Sequence, residues 1–320
     1  MTDFDFSTIN VLVIGDIILD QYIHGTVTRT SPEANVPVVL QQSVNASLGG
    51  AANVALNIES LKSNAILLGG IGNDTEGLEI EKKLADTSLN TTFLISTPKR
   101  CTTTKTRIID NEGHLIRVDR EDTAPYPIAL ENILITNLQK ILTENKIDII
   151  ILQDYNKGVL TKSSIPRILE EVTQRNIPYV VDPKINNFFA YHGATLFKPN
   201  LKELHIAFQD FSEPINNLSK ISNELRIKTN SVFNLITLGE NGLYLDESNN
   251  VINLPALKVD TPDVCGAGDA VISIAALAIA KNCTLKEIAR WSNAAGHLAC
   301  TKIGVNPIRL DEFINIVEKM

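Results

Sequence analysis

Asp260-Thr261-Pro262-Asp263-Val264-Cys265-Gly266-Ala267-Gly268-Asp269 runs straight into Ala270 to Ala280, an Ala-rich apolar segment. A polar, turn-prone lead-in thus meets Gly-Ala-Gly, then one carboxylate, then about three turns of buried helix. The first N–H groups of a helix have no internal partners, and the macrodipole adds partial positive charge there. With only small side chains at Gly266, Ala267 and Gly268, an anion can approach those N–H groups closely, which makes the turn a phosphate or oxyanion site. Asp269 at its mouth would repel a phosphate. It makes sense as a base that takes the proton from a hydroxyl attacking phosphorus. The same spacing also suits an N-capped core helix with small residues for tight packing, and spacing alone leaves both readings open.

Upstream of this stretch the chain alternates buried strands and helices. Ile9 to Gly15 is a β-branched apolar run closed by Gly-Asp, the pattern of a strand buried on both faces. Gly49-Gly50 opens a helix over Ala51 to Leu61, Ala65 to Gly70 is a second strand, and Asp74 to Ala85 is a helix with Asp74 as N-cap. From Leu130 the period repeats: helix 130–142, strand 148–152, helix 163–175, strand 179–181, then strands at 195–197, 231–237 and about 242–254. A helix over 284–300 closes the chain. This alternation predicts an α/β fold with a mainly parallel sheet and helices on both faces. Two half-exposed patches do not fit that layer. Residues 20–48 are broken at Thr28 to Pro32, and residues 92–120 alternate around a hairpin turn at Asp110 to Gly113. They are expected to form a small antiparallel sheet inserted into one domain of residues 1–320, serving as a lid or a dimer surface.

Composition narrows the partners. The 320 residues are 44% apolar and 21% charged with a net charge of −8, ordinary for a globular protein and unsuited to nucleic acid or an anionic membrane. The acidic start has no basic region of a secretory signal, and no apolar run approaches a membrane span. Four cysteines without C-x-x-C pairing suggest neither a zinc site nor a disulfide framework, so a reduced, cytoplasmic protein is expected. The P-loop pattern is absent, Gly70-Ile71-Gly72 lacks the third glycine of the dinucleotide fingerprint, and G-x-S-x-G does not occur.

Polar clusters fall at the carboxyl ends of the predicted strands, where such sheets bind ligands. They are Asp16 with Asp20, Asp154 with Lys157, Asp182 with Lys184, Asn200 with Glu203, and Thr237 with Gly239. A lone Asp after a strand is more often a cap than a ligand; five clusters in register favour a site. Asn53, poor for helix propensity, adds an amide beside the Gly49-Gly50 turn.

Asp263 to Asp269 resembles the C-terminal signature of the ribokinase-like, or PfkB, carbohydrate kinases, and Gly49-Gly50-Ala51-Ala52-Asn53-Val54-Ala55 resembles their N-terminal signature. The resemblance covers essentially the whole chain. Within the family it is most similar to D-glycero-β-D-manno-heptose 7-phosphate kinases, including the kinase half of the bifunctional ADP-heptose synthesis enzyme. Gly15 to Tyr22, Arg29-Thr30-Ser31-Pro32-Glu33-Ala34, Val36 to Val39, Leu115 to Asp119, Asp154 to Gly158 and Asp182-Pro183-Lys184 carry that likeness. It implies an ATP- and Mg²⁺-dependent kinase acting on O1 of heptose 7-phosphate, standing alone without a nucleotidyltransferase half. Another sugar or sugar phosphate, or a silent sugar- or nucleotide-binding regulator on the same fold, is the alternative.

The resemblance also implies roles. Asp269 is the base and Gly266-Ala267-Gly268 the anion hole. Asp16, Asp20, Gly49, Gly50, Asn53 and Lys157 hold the sugar, with carboxylates and amides gripping hydroxyls. Asn200 and Glu203, in the N-x-x-E pattern, arrange magnesium through water, and Thr237, Gly239, Gly242 and Asn293 line the nucleotide end. Lys105, Arg107, Arg117 and Arg120 form a basic cluster in the second patch, candidates for a substrate phosphate. Two departures stand out. Cys265 occupies the usual Thr or Ser position, where a helix N-terminus could lower a thiol pKa against the commoner inert buried thiol. Lys302-Ile303-Gly304-Val305 replaces a Gly-Thr, at a loop where the family admits a monovalent cation, K⁺.

Overall fold

The computed structural model describes residues 4–111, 113–209, 214–248, 250–259, 263–302 and 304–320. Asp260-Thr261-Pro262 of the signature lead-in, Met1 to Asp3, Glu112 and Ile303 lie outside the described residues. Fourteen strands occur among the described residues: β1 (Asn10–Gly15), β2 (Ile17–Thr30), β3 (Pro37–Gly50), β4 (Asn64–Leu68), β5 (Gly70–Gly72), β6 (Ile95–Thr97), β7 (Thr103–Asp110), β8 (Gly113–Arg120), β9 (Ile149–Gln153), β10 (Tyr179–Asp182), β11 (Leu196–Phe197), β12 (Phe233–Thr237), β13 (Leu243–Glu247) and β14 (Asn250–Leu254). The α-helices are α1 (Ala51–Ser60), α2 (Thr75–Ala85), α3 (Ile128–Glu144), α4 (Ser164–Thr173), α5 (Leu201–Ala207), α6 (Leu218–Thr229), α7 (Ala267–Ala280), α8 (Leu285–Cys300) and α9 (Leu310–Lys319).

The main sheet has the order β14-β13-β12-β11-β10-β9-β1-β4, parallel from β4 to β12 and antiparallel at β13 and β14. Alternate residues along each strand serve opposite faces. Val11, Val13, Ile149, Ile151, Val180 and Leu196 pack with α1, α7, α8 and α9. Leu12, Ile14, Ile150, Leu152, Val181 and Phe197 pack with α3, α4 and α6. Trp291, 1% exposed, anchors the first face through Phe4, Phe6 and Phe313 at centroid distances of 5.2–5.9 Å. β1 is flanked by β4, which follows it in sequence, and by β9, which comes much later. The strand order therefore reverses between β1 and β9, opening a crevice at their carboxyl ends.

The small sheet leaves the main one there, since β2 begins one residue after Gly15. Its order is β3-β2-β7-β8, with β2 and β7 parallel and the other pairs antiparallel. Several expectations are corrected. β2 runs unbroken to Thr30, its irregularity absorbed by bulges at His24/Gly25 and Val27/Arg29, and β3 carries Gly49 and Gly50 as its last two residues. The small sheet thus spans 17–50 rather than 20–48. Residues 92–102 stay out of it, because Ile95–Thr97 pairs with Gly70–Gly72 in a separate ribbon. The strand expected over Ala65 to Gly70 is divided at Gly69. The chain also has α9 beyond the helix expected to close it, with Phe313 and Val317 buried against the core.

Candidate active site

The chain turns from the N-cap Gly266 into α7 with φ of +78°, a left-handed conformation that costs glycine nothing. Ala270 N–H bonds back to the Gly266 carbonyl, while the N–H groups of Gly268 and Asp269 have no partner among the described residues. Open donors at the start of a fourteen-residue helix leave the turn able to accept an anion. Val305, 9% exposed, backs it, lying 3.6 Å from where a Cβ on Gly266 would sit.

Asp269 is 4% exposed and receives three side-chain donors from two elements. Asn53 Nδ2 of α1 donates to Oδ2 at 2.7 Å; Gln153 Nε2 and the Tyr155 hydroxyl donate to Oδ1 at 3.1 and 3.0 Å. Asn53 thus tolerates its helix because its amide serves a buried carboxylate across 216 residues of sequence. Burial pushes the Asp269 pKa up to about 6; Asn53 opposes the rise, the Asp182 charge adds to it, and Tyr155 and Lys198 oppose it. A carboxylate near pH 6 is ionised at neutral pH yet basic enough to accept a proton in a transition state.

Lys198, one residue beyond the strand end at Phe197, is 2% exposed. Its ammonium lies 3.0 Å from Asp182 Oδ2 and 3.5 Å from where a Cβ on Gly268 would sit. The cation therefore flanks the anion hole. Gln153 Nε2 bridges Asp182 Oδ2 (3.2 Å) to Asp269 Oδ1, tying that carboxylate and the ion pair into one network. Gln153, Tyr155 and Lys198 were not singled out from sequence. The signal for Lys198 was present, a lysine closing a buried strand directly before Asn200-Leu201-Lys202-Glu203.

Asn200 and Glu203 form a capping box at α5. The Asn200 side chain accepts from Glu203 N–H at 2.9 Å, and Glu203 accepts from Asn200 N–H at 2.9 Å. The other Glu203 oxygen pairs with the Lys184 ammonium. Burial raises the Glu203 pKa, as does the Asp182 charge, against the pull of Lys184. Burial alone would lower Lys184, but Asp182 and Glu203 outweigh it and hold it protonated. Both Glu203 oxygens being engaged, the set suits a magnesium ion that keeps its water shell. The buried Oδ1 of Asp182, with no hydrogen-bond partner among the described residues, is the acceptor open to such a shell.

Thr237 bridges to Asn200 in parallel, placing β12 beside α5, and Gly239 and Gly242 shape the turn that follows. Asn293 donates to the Pro255 carbonyl at 2.9 Å, which fixes that loop against α8.

At the acceptor end the register selects a polar face. Asp20 pairs with Ser47 and Lys105, Tyr22 with Asn45 and Arg107, and Arg107 with Arg117, so these side chains share one face. Arg107 bonds Asp20 Oδ1 at 2.6 Å and lies over the Tyr22 ring. Gly49 is required beneath this pair, since a Cβ there would meet Asp20 Oδ2 at 2.1 Å. Gly50 follows as the N-cap of α1. Arg120 pairs with Thr104 on the opposite face and is held by Asp74 and Glu76, so it leaves the predicted basic cluster. Arg117 pairs with Asp119 at 2.9 Å and Lys157 with Glu121 at 2.7 Å. Lys105 makes no ion pair with a described residue; its ammonium lies 5.1 Å from the Tyr155 ring centroid. Burial lowers its pKa, Asp20 opposes that, and the Arg117 and Lys157 charges add to it.

Asp16 is 1% exposed and accepts from the N–H groups of Tyr155 (2.9 Å), Lys157 (3.0 Å) and Val159 (3.1 Å). It holds the 155–159 loop, with two of these donors on Oδ2 and one on Oδ1. Asp154 is likewise taken up, by Tyr191, Asn187 and the Asn156 N–H. Burial and the Asp263 carboxylate push the Cys265 thiol up to about 11, so it is the inert kind. The cysteines are unpaired and half-buried.

A parallel-sheet crevice with an anion hole, a buried carboxylate at its mouth and a polar face from a second sheet defines a small-molecule transferase. Residues 8–311 match the pfkB family carbohydrate kinases. The chain belongs to that family and is a sugar kinase with the ribokinase-like fold. Among curated relatives, the bifunctional protein HldE of Helicobacter pylori (strain P12) is 36% identical over 97% of this chain and 67% of its own length. That of Caulobacter vibrioides is 37% identical over 96% of this chain and 63% of its own. This chain thus spans 60–67% of the length of such relatives. In fold it is similar to phosphofructokinase-2 from Escherichia coli crystallised with potassium (TM-score 0.80, 20% identity, 97% of this chain and 98% of that one). The ribokinase of Arabidopsis thaliana in complex with ribose and ATP has a TM-score of 0.75 at 17% identity, covering 96% of this chain and 98% of that one. Among the described residues no helix is long and apolar enough to cross a membrane.

Proposed function

We propose that the protein transfers the γ-phosphoryl of ATP to O1 of heptose 7-phosphate, giving the 1,7-bisphosphate. The observation that carries a phosphorylated acceptor is Lys105. A partly desolvated ammonium in no ion pair with a described residue, with the Arg117 and Lys157 charges set against those of Asp20 and Asp119, is a site that gains from a dianion. The heptose is supported by the 35–37% identity to the bifunctional HldE proteins over nearly the whole chain.

Asp20 and Asn53 orient the sugar, with Asp16 shaping the Lys157 loop beneath it. Asp269 takes the proton of the attacking hydroxyl as the oxygen–phosphorus bond forms and the bond to ADP breaks. The N–H groups of Gly268 and Asp269, with Lys198, receive the charge on the transferring phosphoryl. Bound magnesium would neutralise the ATP phosphates, held through water by the Asn200–Glu203 side of the site. Thr237, Gly239 and Gly242 would border the nucleotide. The small sheet would act as a lid, since ATP hydrolysis competes unless water is excluded.

ADP release from a panel of sugars and sugar phosphates tests the substrate. The phosphorylated heptose should have the highest kcat/KM; equal rates on unphosphorylated sugars would remove the reading. Lys105→Ala should raise KM for the sugar phosphate about tenfold and leave KM for ATP within about twofold, the loss of one charge-assisted contact. Equal changes in both would assign Lys105 elsewhere.

The other face of the small sheet carries an apolar row. Val44, Ile23, Ile108 and Ile116 align across its four strands, and Val44 and Ile116 are 49% and 56% exposed. A second copy of the chain is the proposed cover. Sedimentation should give a dimer that Ile116→Asp converts to monomer; a monomeric parent protein at micromolar concentration contradicts this.

A further inference from the structure

We infer that Tyr155 is a positioning residue for the base: its hydroxyl holds Oδ1 of Asp269, leaving Oδ2 to take the proton of the acceptor hydroxyl. The inference rests on the reading of Asp269 as base and adds which oxygen acts and what holds it. A carboxylate oxygen accepts two hydrogen bonds in its plane. Oδ1 already has two donors, Gln153 Nε2 at 3.1 Å and the Tyr155 hydroxyl at 3.0 Å. Oδ2 has one described side-chain donor, Asn53 Nδ2 at 2.7 Å, and so keeps a free lone pair. That lone pair is where an acceptor O–H can donate, and on transfer the proton ends on Oδ2.

Tyr155 is built for this task from three sides. Its N–H is fixed by Asp16 Oδ2 at 2.9 Å, so the backbone cannot drift. Its ring lies between two ammonium groups, Lys105 at 5.1 Å and Lys184 at 5.2 Å from the centroid. Lys105 belongs to the acceptor end and Lys184 to the Asn200–Glu203 end, so the ring spans both halves of the site. Burial and the Asp269 charge hold the phenol pKa well above its ordinary value, so the hydroxyl remains a donor across the working range. The charged groups that bear on Asp269 are Asp182, the last residue of β10, Lys184 two residues after it, and Lys198 just beyond β11; Tyr155 is the one that contacts it as a titratable donor.

Tyr155→Phe removes the hydroxyl and keeps the ring and the backbone bond. Without that donor the carboxylate is less well stabilised, so the acidic limb of kcat/KM should move up by about one pH unit. The loss of kcat should be about tenfold or more near pH 6 and smaller near pH 8, with KM for ATP unchanged. An unmoved acidic limb, with thermal unfolding equal to the parent, overturns the assignment of Tyr155. The base itself is checked separately with Asp269→Asn: if turnover survives there, the reading of Asp269 fails, and if it is abolished while the Tyr155→Phe limb stays put, only Tyr155 fails.

Discussion

Asp269→Asn should lower kcat by about a thousandfold while sugar-phosphate affinity stays within about threefold of the parent. The exchange keeps shape but removes the group that accepts the proton, and general-base contributions are on the order of 10²–10⁴. The fold should not suffer. The Asp269 pKa stands near 6 in the folded protein against an ordinary 3.8, chiefly through burial. A folded-state carboxylate pKa above the unfolded value means that the folded state binds the proton more tightly. The stability this confers is present below pH 4 and is lost as pH rises through 6, about 3 kcal/mol in all. At pH 8 the ionised carboxylate is therefore a burden that the neutral asparagine lacks, and the variant should unfold at the same or a higher temperature. Calorimetric binding, thermal unfolding and ADP release together check this. Turnover within tenfold of the parent would refute the base.

Lys198→Met is expected to cost about 10²–10³ in kcat, the usual loss when a charge-stabilising donor is removed from a water-poor site. Its ammonium flanks the anion hole and neutralises Asp182, both side chains being 5% exposed or less. Methionine fills the volume but leaves the buried Asp182 carboxylate with only the Gln153 amide and the Lys184 charge, which costs up to about 3–5 kcal/mol of stability. The acidic limb should also rise, because Lys198 is one of the groups that keeps Asp269 ionised. Adding Asp182→Asn separates the two effects. The double variant should regain much of the unfolding temperature without regaining kcat. Recovery of both would mean that Lys198 serves only the ion pair.

Much of this site was legible because its signatures are local. Gly266-Ala267-Gly268-Asp269 declares an open helix start and a carboxylate within four residues, and Gly49-Gly50 announces a close backbone approach that the Asp20 carboxylate indeed occupies. Of the strand-end polar residues, Asp182 and Lys184 lie by the Asn200–Glu203 pair, whereas Asp154 is taken up by Tyr191 and Asn187. What escaped depended on register and on contacts distant in sequence. Arg107 belongs to Asp20 only because β2 and β7 pair in parallel, a pairing that no local pattern specifies. Arg120 could have been set apart, since residues opposite one another in the hairpin put it with Thr104 and away from the Arg107–Arg117 pair. The family resemblance implies Asn53 as a sugar ligand, and its poor helix propensity points to a polar bond of some kind; that bond goes to Asp269, 216 residues away. α9 was overlooked although Phe313, Ile316 and Val317 carry a helical stripe.

The most direct measurement is ³¹P NMR of the purified protein turning over ATP·Mg²⁺ and D-glycero-β-D-manno-heptose 7-phosphate. One ADP per product molecule is expected, with a new phosphorus signal coupled to the anomeric proton and the 7-phosphate signal retained. ADP with inorganic phosphate alone, or a product phosphorylated at a hydroxyl other than O1, would contradict it.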